Sequence, residues 1–169
     1  ELIYVDDGSS DATFATLQAL RAEGISELKV LRHKQSVGQS LAIISGAWQA
    51  SGEWLVVLDA DGQNDPADIP GMLDAVRAAH AKDPKVWGVI GHRVNRRDDW
   101  VKRLSSKVAN GFRDMMLKDG IPDTGCGLKA VLHERYLRLP AFNHMHRYIP
   151  ALLQSQGGIM MVHPVNHRP

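Results

Sequence analysis

Cysteine is nearly missing from this chain. With Cys126 alone, no internal disulfide can form, so burial and hydrogen bonding must hold the fold, and a reducing, cytoplasmic compartment is the expected setting. No run of about 18 apolar residues occurs, and no basic-plus-apolar leader precedes a cleavage site. The chain is therefore expected neither to span a membrane nor to carry a signal peptide. An excess of one charge is also lacking: 20 Lys and Arg face 19 Asp and Glu, so no global field selects nucleic acid or an acidic surface as partner. Repeats and low-complexity linkers are absent, which leaves a single domain over 1–169. What remains, 44% hydrophobic and 23% charged residues, suits a globular domain with a sizeable core and argues against disorder. The text begins with Glu1 already entering a strand and stops at "NHRP", so it reads as cut at both ends.

Apolar runs alternate with amphipathic stretches. "LIYVDD" reads as a buried strand ending in acid, followed by a helix that Ser9 or Ser10 can cap, with Phe14, Leu17 and Leu20 on one face and Gly24 as its stop. "LKVLRH" predicts a second strand, "SVGQSLAIISGAWQASG" a helix closing at Gly52, and "EWLVVLDAD" a strand apolar enough to be covered on both faces. A helix after Pro66 would turn Ile69, Met72, Leu73 and Val76 inward, and "VWGVIG" reads as a further strand. The alternation predicts an α/β fold with a mostly parallel central sheet and helices on both faces. Beyond it, "DDWVKRLSSKVANGFRDMMLKDG" has the periodicity of an amphipathic helix, "RYIPALLQSQGG" of another helix and "IMMVHPVNHR" of a last strand.

Chemistry concentrates in "WLVVLDADGQNDP". At spacing two in a strand, Asp59 and Asp61 would project to the same side where the apolar run ends, and strand carboxyl ends are where open α/β sheets bind ligands. Asp6 and Asp7, at the end of "LIYVDD", would open onto the same edge. Two like charges about 4 Å apart repel by roughly 4 kcal/mol at an effective dielectric near 20, so a pair held ionised calls for a cation. Oxygen-only donors, with the Gln63 carbonyl as a third, favour Mg2+ or Mn2+ over Zn2+, and Mg2+ completes its shell with water and substrate phosphates. Solvated acids in an Asx turn account for the same residues. The pair alone leaves the two readings level.

Longer motifs separate them. "VDDGSSDAT", then "VGQSLAIISGAWQASGEWLVVLDADGQNDPADIP", "GHR" at Gly91 to Arg93, "RLSSKVAN" at Arg103 to Asn110, "DTGCGLKAV" at Asp123 to Val131 and the terminal "VNHRP" together resemble the family 2 glycosyltransferases of GT-A fold. Within that family the resemblance is to the polyprenyl-phosphate sugar transferases such as dolichol-phosphate mannose synthase, and it covers nearly the whole chain. It implies a nucleotide-diphospho-sugar transferase, Rossmann-like in architecture, that lacks here the family's opening strand and its C-terminal continuation. It also implies an inverting, metal-dependent transfer from a UDP- or GDP-sugar to an undecaprenyl or dolichyl phosphate, at the cytoplasmic face of a membrane and serving the cell envelope. "CGLK" carries Leu128 and Lys129 where many relatives have Phe and Arg.

The resemblance assigns Asp6 and Asp7 to the donor's base and ribose, and Asp59, Asp61 and Gln63 to the ion bridging its diphosphate. Asp123 falls beside the transferred sugar, as a positioning group or base, a polyprenyl phosphate being an anionic nucleophile already. Arg93 is then a candidate for the donor phosphates, and Arg103 and Arg168 for the acceptor phosphate, because a guanidinium offers phosphate a bidentate fork. His144 and His146 lack a third ligand nearby and read as surface or packing residues, and Cys126 as a small buried side chain. Met115 and Met116 suit core packing, or a groove for lipid. Two rival readings stand beside the transferase: a haloacid-dehalogenase-type phosphatase using Asp59 as nucleophile and Asp61 as acid/base, and a nucleotide-sugar binding domain without catalysis.

Overall fold

The structure, a computed structural model, describes residues 1–94 and 121–168. The amphipathic stretch after Arg97, with Arg103, Met115 and Met116, lies outside the described residues. Two compact units make up the chain, one of Glu1–Leu55 with His133–His146, the other of Val56–Leu132 with Arg147–Pro169.

In the first unit β1 (Leu2–Asp6) pairs in parallel with β2 (Leu28–Arg32), in a register that runs from Leu2 opposite Leu28 to Asp6 opposite Arg32. That register sets Arg32 Nε 3.3 Å from Asp6 Oδ2, and the Arg32 guanidinium also lies 4.6 Å from the centre of the Phe14 ring. A cation over an aromatic face thus ties β2 to α1 (Thr13–Ala22). The helix starts later than Ser9 or Ser10 would place it: its N-cap is Ala12, Asp11 Oδ1 accepts the Thr13 amide at 3.0 Å, and the Ser9 amide is bound to Asp6 Oδ1 at 2.9 Å in the turn before it. Of its expected inner face Leu17 is buried, whereas Leu20 is exposed. The next helix, α2 (Gln39–Gln49), buries Ala42, Ile44 and Ala47 and ends at Ala50, short of Gly52, where the backbone turns extended.

The chain crosses into the second unit within β3 (Trp54–Val57), which joins a four-stranded sheet of order β3, β5, β4, β6. Its centre is β4 (Val86–Arg93), whose Val89 and Ile90 are fully buried. On one side β5 (Lys129–Leu132) pairs antiparallel, Ile90 opposite Lys129. On the other, β6 (Ile159–Val165) pairs parallel, Gly91 opposite His163. The fold is α/β as expected; the β1–β2 sheet is parallel, whereas the four-stranded sheet is mixed instead of mostly parallel, because β5, which residues 121–128 enter through turns, runs antiparallel to β4. After a 3-10 turn at Pro66–Asp68 comes α3 (Ile69–Lys82), against β4. Its Met72 and Val76 are completely buried, a contribution of about 1.5–3 kcal/mol each over the exposed state, while Ile69 and Leu73 are half-buried. A single turn, α4 (His133–Tyr136), follows β5, and α5 (Ile149–Ser155) buries Ile149 and Leu153.

Candidate active site

β3 stops at Val57, two residues before Asp59, so strand alternation does not position the two acids. A turn does. Asp61 is exposed, and its Oδ1 accepts the Gln63 amide at 3.0 Å, the Asx geometry that the solvated-turn reading described. Gln63 is exposed as well, but its main-chain carbonyl accepts the Arg168 amide at 2.9 Å. Three further contacts seal this turn against the segment after β6. Asn64 bridges to His167, an Arg168 guanidinium nitrogen lies 2.7 Å from Asp65 Oδ1, and Asp68 accepts both the amide and the side chain of Asn166 at 2.7 and 2.8 Å. Arg168 keeps about half of its side chain exposed.

Asp59, by contrast, leans on the loop before β5. A Cβ on Gly127 would stand 2.2 Å from Asp59 Oδ2 and 3.0 Å from Asn64 Nδ2, so only glycine lets the carboxylate lie this close to the backbone. Lys129, in β5 and 5% exposed, donates from Nζ to the Cys126 carbonyl. Burial pushes its pKa down, and the Asp59 and Asp123 carboxylates oppose that. Cys126 has no exposed surface, and burial raises its thiol pKa, in keeping with a packing residue and not a nucleophile.

Arg93 and Asp123, thirty residues apart, form a bidentate pair: Nε to Oδ2 and a terminal nitrogen to Oδ1, both 2.7 Å, with only 12% and 11% of the two side chains exposed. The Arg93 amide adds a longer bond to Oδ2 at 3.3 Å. Asp123 therefore has both oxygens engaged by one guanidinium, which favours positioning over proton abstraction.

In the first unit, Asp6 is buried, with its carboxylate on the Ser9 amide and Arg32, and those hydrogen bonds and charge hold its pKa below the usual range. Asp7 takes four donors: His33 Nδ1 at 2.7 Å, Ser36 Oγ at 2.8 Å, and the amides of Val37 and Gly38 at 3.0 and 2.8 Å. Partial burial works to raise its pKa, and the four bonds together drive it far below the carboxylate range. His144 and His146 lie in a turn and a 3-10 segment instead of a strand, and His146 Nδ1 meets Ser40 Oγ at 2.8 Å. Sequence reasoning passed over Asn64, Gly127 and the burial of Lys129. A lysine inside the apolar run "GLKAVL" was the one available signal, whereas nothing in "QND" marks Asn64 as buried.

Among the described residues no group of three or more His, Cys, Asp or Glu is arranged to hold a metal by itself. The donors at the turn are hard oxygens, Asp59 seated against Gly127 and Asp61 open to solvent, which suits an ion that takes its remaining ligands from water and phosphate.

The family model for glycosyl transferase family 2 matches residues 1–137. The chain belongs to this family. It is 32% identical to the undecaprenyl-phosphate 4-deoxy-4-formamido-L-arabinose transferase of Sodalis glossinidius over 99% of this chain and 49% of that protein. It is also 32% identical to the dodecaprenyl-phosphate galacturonate synthase of Rhizobium johnstonii over 89% of this chain and 44% of that protein. The chain thus spans about half the length of the curated relatives it matches. Among solved structures, a mannosyltransferase from Pyrobaculum calidifontis in complex with GDP-Man and Mn2+ superposes with a TM-score of 0.66 at 20% identity, over 97% of this chain and 45% of that one. Glucosyl-3-phosphoglycerate synthase from Mycobacterium tuberculosis, with Mn2+, UDP-glucose and phosphoglyceric acid, gives 0.65 at 19% identity over 100% and 61%. The fold of this family 2 chain is GT-A. Membership displaces the phosphatase reading, in which the acid pair would close the first strand of the sheet.

Proposed function

We propose that this family 2 chain is catalytic and transfers a sugar from a UDP- or GDP-sugar to a polyprenyl phosphate, undecaprenyl or dolichyl, with inversion and with a divalent ion, Mg2+ or Mn2+. The observation that carries the proposal is the oxygen-donor turn, Asp59 fitted onto Gly127 and Asp61 exposed beside it, in the same unit as the buried Arg93–Asp123 pair. The two polyprenyl-phosphate relatives support the acceptor class.

In this reading Asp59 and Asp61, with Gln63, hold the ion and the donor diphosphate. The ion supplies charge neutralisation to the departing nucleoside diphosphate. Asp123, fixed by Arg93, positions the transferred sugar, and Arg93 lends its charge to the donor side. Arg168, anchored to Asp65 yet half exposed, and Arg103 bind the acceptor phosphate. Asp6 and Asp7 frame the base and ribose through the loops they hold, since Asp6 is buried and the acceptor sites of Asp7 are filled by His33, Ser36, Val37 and Gly38. The acceptor's phosphate oxygen is anionic at neutral pH, so the chain need only orient it behind the anomeric carbon. Among the described residues no helix is long and apolar enough to cross a membrane. In this reading a lipid-phosphate acceptor brings the protein to the cytoplasmic face of a membrane.

Calorimetric titration of the full-length protein with GDP and with UDP, with and without Mn2+, tests the reading. One of the two nucleotides is expected to bind at least about tenfold tighter with the ion. Binding that ignores Mn2+, or no binding of either, would overturn it. Gly127→Ala probes the seat of Asp59 directly. Because the atoms in its way belong to the Asp59 and Asn64 side chains and not to the backbone, the carboxylate should swing aside at modest cost in stability, while Mn2+-supported nucleotide affinity drops about tenfold to a hundredfold. An unaltered affinity would detach Asp59 from the ion.

A further inference from the structure

We infer that His33 is a positioning residue for the donor: it orients Asp7 so that the Ser36–Gly38 loop is fixed before the nucleotide arrives. This deepens the proposed transferase reading and rests on it, since that reading puts Asp7 at the base and ribose.

The geometry is a short relay within one unit. The His33 backbone amide donates to the Asp6 carbonyl at 2.9 Å, one rung beyond the β1–β2 ladder, so the ring leaves a fixed stem. Its Nδ1 lies 2.7 Å from Asp7 Oδ1 and its Nε2 2.9 Å from Ser45 Oγ on α2. An ionised carboxylate only accepts, so Nδ1 carries the hydrogen, and the Ser45 hydroxyl can donate to Nε2 or accept from it. The connection therefore survives either protonation state of the ring.

Asp7 spends its other capacity on the loop. Ser36 Oγ and the amides of Val37 and Gly38 complete four donors on two oxygens, which uses the acceptor sites of a carboxylate. Gly8 lies directly under the same loop, with φ +78. A Cβ there would stand 2.7 Å from the carbonyl carbon of Gln35 and from the amide nitrogen of Ser36. Residues 34–37 are nonetheless exposed. An exposed loop held by one buried-side network pays little ordering entropy when it meets a ligand.

The connectivity Asp7, His33, Ser45 is also that of an acyl-transfer triad. Ser45, however, sits inside α2, where the surrounding amides serve the helix and none is aimed at an oxyanion. Orientation is what this relay can deliver.

Three variants of the full-length protein separate the ring's two bonds. The amide of His33→Asn reaches the place of Nδ1, that of His33→Gln the place of Nε2, and His33→Ala reaches neither. Titration with UDP and GDP in Mn2+ and steady-state kinetics with the matching nucleotide-sugars should show Kd and donor KM raised about tenfold in the Gln and Ala variants, kcat within about threefold of wild type, and the Asn variant close to wild type. Exchange of the Val37 and Gly38 amides should quicken in the same two variants. Equal affinities in all four proteins, equal losses in Asn and Ala, or a fall in kcat with KM unchanged would each overturn the inference alone. If wild type binds neither nucleotide, the transferase reading fails first and takes this inference with it.

Discussion

Asp61→Ala is expected to remove sugar transfer, by at least about a thousandfold, while the melting temperature stays within about 2 °C of the native value. The asymmetry comes from where Asp61 sits. It is exposed, and among the described residues its hydrogen bond is the local one to the Gln63 amide, so truncation leaves no buried group stranded there. On the proposed reading, the lost carboxylate leaves the ion with Asp59 alone among the carboxylates of the turn, and charge developing on the leaving diphosphate goes uncompensated, a matter of several kcal/mol in the barrier. Turnover assayed with nucleotide-sugar and a short-chain polyprenyl phosphate, alongside a thermal melt, checks both halves. A variant that melts far lower would make Asp61 a structural turn residue, and one that still turns over would remove it from the ion.

Asp123→Ala should behave in the opposite way, costing stability first. The Arg93–Asp123 pair is about nine-tenths buried on both sides, and deleting the carboxylate takes the bidentate partner from a largely buried guanidinium, which costs about 3–5 kcal/mol. For a chain of this size that is a fall of about 10 °C in melting temperature. Replacing both partners with apolar side chains of similar volume, Arg93→Met with Asp123→Leu, should recover most of the loss, since buried ion pairs are worth little over well-packed apolar ones. Urea denaturation of the two singles and the double gives the coupling energy. Near-additive losses would mean that the pair is not held as the geometry shows. The double variant also bears on chemistry: if it folds and fails to transfer sugar, the Arg93–Asp123 pair has a role in transfer that stands apart from its role in stability.

Much of this was legible along the chain, for reasons that differ by element. Strands such as "VWGVI" announce themselves because a strand covered on both faces must be apolar throughout, and α3 because Met72 and Val76 recur at helical spacing. The start of α1 was not legible. Ser9 and Ser10 are fine caps by type, but the helix takes Ala12 as its N-cap and Asp11 binds the Thr13 amide, and which side chain meets the first helical amides depends on the course of the backbone after β1. The antiparallel course of β5 was equally hidden, because periodicity carries no direction. In the candidate site, the motif singled out Asp59, Asp61, Asp123 and Arg93, yet the strand alternation invoked for the first two ends before either of them, at Val57.

What the sequence by itself determined is the chemical inventory and its family: oxygen donors after an apolar strand, no cysteine or histidine set for a softer metal, and a spacing of motifs that belongs to family 2 glycosyltransferases. Only the tertiary structure decided that Arg93 grips Asp123, that Gly127 makes room for Asp59, and that His33 joins Asp7 to Ser45. Those are pairings across about 30 to 70 residues in the first two cases, and across different secondary elements in the third. A local pattern fixes which groups a chain owns, but which of them meet depends on how strands and turns pack, and burial then turns each meeting into an energy.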